Sequence, residues 1–375
     1  MVVSPGARLA HGTASGTMIA LVLIARNESR CLARCLRSAR PFVDEMVVVD
    51  TGSTDETPRI AVAEGARLAR FAWQDDFSAA RNFALAQTQA QWRLVLDADE
   101  WIERGGETLR ALPNATTGAA YVGQVTVRSS FDDEGVVRHA TNSISRLLPR
   151  GVEYAGRIHE QPLHALPVRR LDVVVGHDGY LRAQQAGKSD RNERLLRALA
   201  QEQPGDAYVR YQLGKELEIR SRFEEASAQY RHAREFVPWP PAAEADAGHL
   251  QARLPWLHDL AVRSLYCLKK SGDLTGAMRQ FRDESRYWRQ SPDFHFAGGD
   301  MLLDAAVADP AQASPLLAEI EASWMRCLEI GERPELEGAV EGRGSFLAAH
   351  NLAVLHSLQG NAQAAEKFRV LAKAP

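Results

Sequence analysis

Between residues 18 and 96, four short apolar runs alternate with three helical patterns. That alternation restricts the first half of the chain to a parallel sheet covered on both faces. Residues 18–25 are almost unbroken apolar sequence, the mark of a strand buried on both sides. Residues 29–39 then place Leu32, Cys35, Leu36 and Ala39 on one helical face. Residues 46–49 make a second buried strand that ends at Asp50. Ser53 and Glu56 have capping-box spacing, Pro58 stands early in the helix that follows, and Gly65 closes it. Residues 66–71 read as a third strand, 78–90 as a third helix and 93–96 as a fourth strand. In sheets of this kind, ligands sit at the carboxyl ends of the strands.

After residue 115 the pattern changes. Residues 119–128, 143–148 and 168–177 read as longer strands of a mixed, partly antiparallel half of the sheet. From about residue 188 the chain reads as helix, with an internal repeat. Leu213, Gly214, Leu217, Ala226, Tyr230, Ala233 and Pro238 fall at tetratricopeptide-repeat spacing. A second copy has Leu268, Ala277 and Phe281 with a turn at Gly272-Asp273. A third has Leu352, Ala353, Ala365, Phe368 and Ala372 with a turn at Gly360-Asn361. Stacked helix pairs of this kind expose a concave surface. The expected organisation is therefore a flexible N-terminus over 1–17, an α/β domain over 18–185, and an all-α helical-repeat domain over 186–375.

A net charge of -3 argues against a partner bound through its phosphate backbone, so no nucleic acid is expected. The four cysteines, Cys31, Cys35, Cys267 and Cys327, form no CxxC pair and stand near no histidine cluster. They are expected to be buried small hydrophobes in a reducing compartment. No apolar run is long enough to span a bilayer, and the expected location is the cytoplasm.

Four features stand where the α/β half presents its ligand. Ala25-Arg26-Asn27-Glu28 follows the first strand at a helix start, a position suited to anionic or polar ligands. Asp50 ends the second strand, where a carboxylate is costly unless it faces a ligand or donors. Arg81, in Asp75-Asp76-Phe77-Ser78-Ala79-Ala80-Arg81-Asn82, lies in a helix's first turn against the dipole. It makes sense there if it meets phosphate or a carboxylate, with a solvated arginine as the purely structural alternative. Asp97-Ala98-Asp99-Glu100 puts three acids behind Leu94-Val95-Leu96 at a buried strand end. A divalent cation, Mg²⁺ or Mn²⁺, would balance them and leave positions open for a diphosphate.

In this order the four features resemble the family 2 glycosyltransferases of GT-A fold, over roughly residues 18–180. The resemblance implies a UDP-sugar donor. Ala25, Arg26 and Asp50 would lie against base and ribose, with Glu28 and Ala98 of the same motifs lining the donor site. Arg81 would lie near the nucleotide phosphates or base. Asp97 and Asp99 would be the Asp-X-Asp pair, with Asp99 the direct metal ligand and His177 the third ligand. The fusion to helical repeats is similar to a bacterial subgroup that modifies ribosomal peptides on cysteine or serine, the glycocin-type enzymes. Tyr154-Ala155-Gly156-Arg157-Ile158-His159-Glu160 and His177-Asp178-Gly179-Tyr180 look like further motifs of that subgroup.

Inverting transfer needs a base on the acceptor side. The sequence offers Glu160 first, His159 second and Asp178 third, with a salt bridge from Glu160 to Arg146 or Arg157 as the purely structural alternative. The acceptor is expected to be a peptide or protein docked by the repeats. Lipopolysaccharide core or another glycan is the alternative, with the helical half serving as a homodimer surface. A non-catalytic nucleotide-binding scaffold is disfavoured because Asp50, Arg81, Asp97 and Asp99 are all present.

Overall fold

The computed structural model describes residues 18–112, 120–133, 135–180, 189–239 and 254–373. The N-terminus expected to be flexible, residues 1–17, lies outside the described residues, as do residues 181–188, where the expected domain boundary falls.

The first half runs β1 (Ile19–Ala25), α1 (Leu32–Ala39), β2 (Glu45–Asp50), α2 (Thr57–Ala63), β3 (Arg67–Arg70), α3 (Phe77–Ala86) and β4 (Trp92–Val95). It continues through β5 (Glu100–Arg104), α4 (Glu107–Arg110), β6 (Val122–Asp133), β7 (Val136–Pro149), β8 (Glu153–Ala155), β9 (Gln161–Leu163) and β10 (Val168–Tyr180). The sheet order is β3-β2-β1-β4-β7-β6-β10-β5, while β8 and β9 form a separate ribbon. The pairs β3·β2, β2·β1 and β1·β4 are parallel. β7 then runs antiparallel to both β4 and β6, and β10 runs parallel to β6. This is the mixed sheet expected of a GT-A fold.

Alternation along β1 explains its burial on both faces. Ile19, Leu21 and Leu23 join Leu32, Cys35 and Leu36 of α1 in one core. Ala20 and Val22 join Ala84 and Leu85 of α3 in another. The helix expected over 57–63 forms, but its capping box does not. Glu56 is the N-cap and makes no side-chain cap bond, and Ser53 Oγ instead accepts from the Asn27 amide at 3.0 Å.

The second half contains α5 (Ser189–Glu202), α6 (Ala207–Ile219), α7 (Phe223–Glu235), α8 (Leu257–Lys270), α9 (Leu274–Glu284), α10 (Pro292–Ala308) and α11 (Ala313–Ile330). After a two-residue strand, β11 (Ala339–Val340), come α12 (Phe346–Leu358) and α13 (Ala362–Ala372). The three repeat copies are the pairs α6/α7, α8/α9 and α12/α13. In the first, Gly214 lies so close to the Tyr230 ring that a Cβ would collide with it, which is why the repeat needs a small residue there. The turns at Gly272 and Gly360 take φ of 83° and 74°, where glycine is unstrained. Asp273 and Asn361 then cap the following helices. All four cysteines are buried and unpaired. Among the described residues no helix is long and apolar enough to cross a membrane.

The halves are joined. β11 pairs with β7, with the Gly338 amide donating to Thr141 O at 3.2 Å and to Asn142 Oδ1 at 2.7 Å. Ile158 of the first half is buried in the helical core.

Candidate active site

The loops behind β1 and β2 form one surface. Asn27 is left-handed at φ 57°, and its Oδ1 accepts from the Thr54 amide at 2.8 Å. The Glu28 amide donates to Thr57 Oγ1 at 2.7 Å and the Ser29 amide to Asp55 Oδ2 at 3.2 Å. Burial pushes the Asp55 carboxyl up, but hydrogen bonds from Thr57 and Ser29 outweigh it and bring it down to about 2. Asp50 is buried and takes the Ser53 amide at 3.0 Å. Ala25 lies beside it in register, and Arg26 is exposed. These residues line the ends of adjacent strands.

Behind β4 the acids are balanced by arginines, not left to a cation. Asp97 Oδ1 accepts from Arg81 at 2.6 Å and Asp97 Oδ2 from Arg146 at 2.7 Å. Arg146 also pairs with Glu100, and Arg81 Nε with Glu160. Burial works against the charge on Asp97, yet the two guanidinium groups hold it well below the usual carboxylate range. Burial pushes Glu100 up, against the pull of Arg146. The expectation of Arg81 in contact with a carboxylate is met twice. Two of its three nitrogens are on carboxylates.

Asp99 points the other way. His177 on β10 lies in register with Glu100 of β5, and its Nε2 comes within 3.7 Å of Asp99 Oδ2. Its Nδ1 is 3.1 Å from Ser129 Oγ, which orients the ring. Burial lowers the imidazole, but the Asp99 carboxylate outweighs burial and raises it. A carboxylate oxygen and an imidazole nitrogen fit a divalent cation. The expected set of Asp97, Asp99 and His177 is not brought together, however. Asp97 has turned both oxygens to arginines, and among the described residues no three His, Cys, Asp or Glu side chains form a ligand cluster.

The acceptor candidates stand on the turn after β8. Asn82, next to Arg81, staples that turn through Tyr154 O at 2.9 Å and the Tyr154 amide at 2.7 Å. His159 is left-handed at φ 52°, uncommon outside glycine and a frequent mark of a functional position. Burial, helped by the Lys215 charge, pushes its imidazole down to about 3, so it is neutral at ordinary pH. Glu160 pairs with Arg81; Arg157, one of the partners expected for it, pairs with Glu202 at 3.1 Å instead. Asp178, the third base candidate, is gripped by Arg30 at 3.0 Å and Arg34 at 2.7 Å. Arg34 in turn stacks on Trp101 at 3.8 Å. Among the described residues, four buried polar atoms around this centre have no hydrogen-bond partner: Arg81 Nη1, Arg146 Nε, Tyr154 OH and His159 Nε2. Buried polar groups are normally paired, so their gathering here points to a polar ligand.

Arg146 was missed as a site residue, although a lone arginine inside the apolar strand expected at 143–148 was the available signal. The Arg30–Asp178–Arg34 clamp had no local signal.

Residues 20–170 match the family model described as Glycosyl transferase family 2. A TPR repeat-containing protein of Synechococcus elongatus is 36% identical over 217 residues, covering 54% of this chain and 52% of that protein. The SPbeta prophage-derived glycosyltransferase SunS of Bacillus subtilis is 27% identical over 214 residues, covering 54% and 50%. The chain thus spans about half the length of these curated relatives. Among solved structures, glucosyl-3-phosphoglycerate synthase from Mycobacterium tuberculosis is 28% identical, covers 32% of this chain and 46% of its own, and has a TM-score of 0.25. That overlap is too small to bear on the site.

Proposed function

We propose, from a family 2 glycosyltransferase domain over residues 20–170, that the protein is an inverting, metal-dependent glycosyltransferase. Its donor would be a nucleoside-diphosphate sugar, a UDP-sugar in the first instance, and its acceptor a side chain of a peptide or protein. The observation that carries this reading is the position of Arg81. One buried guanidinium ties Asp97, at the donor strand end, to Glu160, on the turn facing the helical half. Donor and acceptor edges therefore share one charged centre, as a transfer between two substrates requires.

Ala25, Arg26, Glu28 and Asp50 would hold the base and ribose, and Ala98, buried between the two aspartates, would let the diphosphate approach the backbone. Asp99 and His177 would hold Mg²⁺ or Mn²⁺. When bound, that ion supplies charge balance for the departing nucleoside diphosphate. Arg81 and Arg146 keep Asp97 charged and fixed, so that only Asp99 is left to the ion. Glu160 and the neutral His159 would meet the acceptor. The unpartnered His159 Nε2 is available to it for hydrogen bonding. The turn that bears both residues packs against the helical half, which supports a role for the repeats in docking the acceptor.

Incubation with Mn²⁺ and each common nucleotide sugar tests the reading. Slow release of nucleoside diphosphate from one donor is expected, and Asp99→Ala should abolish it while the circular dichroism spectrum is kept. Full activity in that variant would sink the metal assignment. Transfer to a glycan but to no peptide would replace the acceptor assignment.

A further inference from the structure

The junction of the two halves holds a half-buried carboxylate that forms no ion pair among the described residues. Glu337 sits one residue before Gly338, on the loop that carries β11 onto β7. The loop is pinned from both sides. The Gly338 amide reaches Asn142, and the Glu337 carbonyl is 2.7 Å from His258 Nδ1. Gly338 takes φ 75°, and a Cβ there would collide with the Asp259 carboxylate. The chain is thus threaded between α8 and the sheet, and glycine is required at that point.

The groups around Glu337 come from every element packed against it. α6 presents Tyr208, Tyr211 and Lys215, at the i, i+3, i+7 spacing of one helical face. α8 presents Asp259 and Arg263, β7 turns the Ser143 amide toward it, and on the turn after β8 His159 feels the Lys215 charge while Glu160 acts on the Tyr208 phenol. Gln161 Nε2 donates to Tyr208 OH at 3.2 Å, joining that turn to α6. The Tyr208 phenol, raised to about 12 chiefly by burial, feels the charges of both Glu337 and Glu160. The Lys215 charge reaches both His159 and Glu337.

The cations here are already committed. Asp259 takes Lys215 at 3.3 Å, Arg263 at 2.7 Å and the Tyr211 hydroxyl at 2.5 Å. Arg263 also pairs with Glu218 at 2.8 Å. Glu337 forms no ion pair among the described residues, whereas Glu160 is held on Arg81. Buried carboxylates are ordinarily paired, and those that are not cluster where a ligand supplies the partner.

We propose that Glu337, delivered from the helical half, is the acceptor-side base, and that Glu160 serves to position Arg81. This rests on the glycosyltransferase reading above. The acceptor's O–H bond breaks and its proton passes to the Glu337 carboxylate. The oxygen's electron pair forms the bond to the anomeric carbon. The bond from that carbon to the diphosphate oxygen breaks, and its pair leaves with the nucleoside diphosphate. The acceptor class that follows is a hydroxyl, whose proton needs a carboxylate to receive it, more than a thiol, which ionises readily on its own. Burial pushes Glu337 up to about 7, with Asp259 adding and Lys215 and Arg263 opposing, which suits a proton acceptor near neutral pH.

Water serves as the acceptor in the test. The full chain with Mn²⁺ is given the UDP-sugar it hydrolyses, and release of UDP is followed from pH 5 to 9. The wild-type rate should climb through about pH 7 to a plateau. Glu337→Gln should lower the plateau by ~100-fold or more and remove the climb. UDP binding measured by calorimetry in the presence of Mn²⁺ should stay within about twofold, as expected of a group that acts after donor binding. Glu335→Gln, exposed on the same loop, should behave as wild type. An unchanged rate and pH profile in Glu337→Gln overturns the assignment. So does a parallel loss of UDP binding or of the folded state, which would make Glu337 a structural residue. A wild-type chain that neither binds UDP nor hydrolyses any donor overturns the glycosyltransferase reading itself, and this proposal with it.

Discussion

At the donor end, Arg81, Asp97, Asp99, Glu100 and Arg146 all come from one sheet and its flanking helix, and Arg81, Asp97, Glu100 and Arg146 are locked in arginine–carboxylate pairs. At the acceptor end, His159, Tyr208, Lys215, Asp259 and Glu337 come from a turn, two helices and a loop that are distant in sequence, and one carboxylate there is left without a salt bridge among the described residues. The first arrangement is paired before any ligand arrives. The second exists only while the helical half is docked on β7. Pre-paired charge suits a site that must hold a phosphate-bearing donor in one pose, and an unpaired acid suits a site that must receive a proton.

The contrast breaks most readily at Arg81. Arg81→Met would leave the buried Glu160 without its cation, while Asp97, 38% exposed, keeps Arg146; breaking a buried pair typically costs about 3–5 kcal/mol, and the partial exposure and second partner of Asp97 put the expected loss at about 2–3 kcal/mol. Urea unfolding should show that loss, and donor hydrolysis should fall by ~1000-fold or more, the scale of losing a fixed electrostatic group. Near-wild-type stability would mean that Arg146 alone can hold the donor end, and the two ends would then differ less than the pairing suggests.

A smaller effect is expected from Gly338→Val. The residue would be strained at φ 75° and would meet Asp259, at a cost of about 1–3 kcal/mol. The expected relief is displacement of β11 from β7. Donor hydrolysis should then drop ~10-fold or more through misplacement of Glu337, with UDP binding intact. If UDP binding falls as well, the donor end depends on docking after all.

The same contrast governs what could be read from the residues alone. Asp50, Arg81, Asp97 and Asp99 stand at strand ends or helix starts within fifty residues, where apolar periodicity places them without any tertiary knowledge. Their partners were not legible. A divalent cation and two arginines neutralise buried acids equally well on paper, and only the register of β7 against β4 decides for Arg146. The Ser53 capping box failed for a related reason: Asn27, from the neighbouring loop, took the hydroxyl. β11 is two residues long, too short for any period, and its register rests on an amide that meets Asn142 across 196 positions. Glu337 was therefore invisible until the halves were seen together. The helix pairs of the repeat, whose contacts are local, were read with their turns correctly placed.

Glu160→Gln separates the two ends more finely. If Glu160 acts through Arg81, the amide keeps the shape but weakens the grip on the guanidinium. The donor KM should then rise about three- to tenfold with a lesser change in kcat, the pattern of lost binding rather than lost proton transfer. A large fall in kcat at constant KM would move the base back to Glu160 and make Glu337 its support.

The smallest effect belongs to His159 and appears in stability. The folded chain keeps this imidazole neutral down to about pH 3, whereas an unfolded histidine takes a proton near 6.5. Its folded value is depressed, so the unfolded state binds the extra proton. The stability at stake is fully present above about pH 6.5 and drains away as the pH falls toward 3. His159→Asn keeps a side chain that tolerates φ 52° and removes the titration. The melting temperature of the variant should therefore fall less steeply than that of wild type between about pH 6.5 and 4, by a few degrees. His295, lowered to about 4 by burial within the helical half, titrates in the same window and should leave a residual slope in both proteins. Identical slopes would mean that water reaches His159 in the folded state, and the acceptor end would then be open to solvent before any acceptor binds.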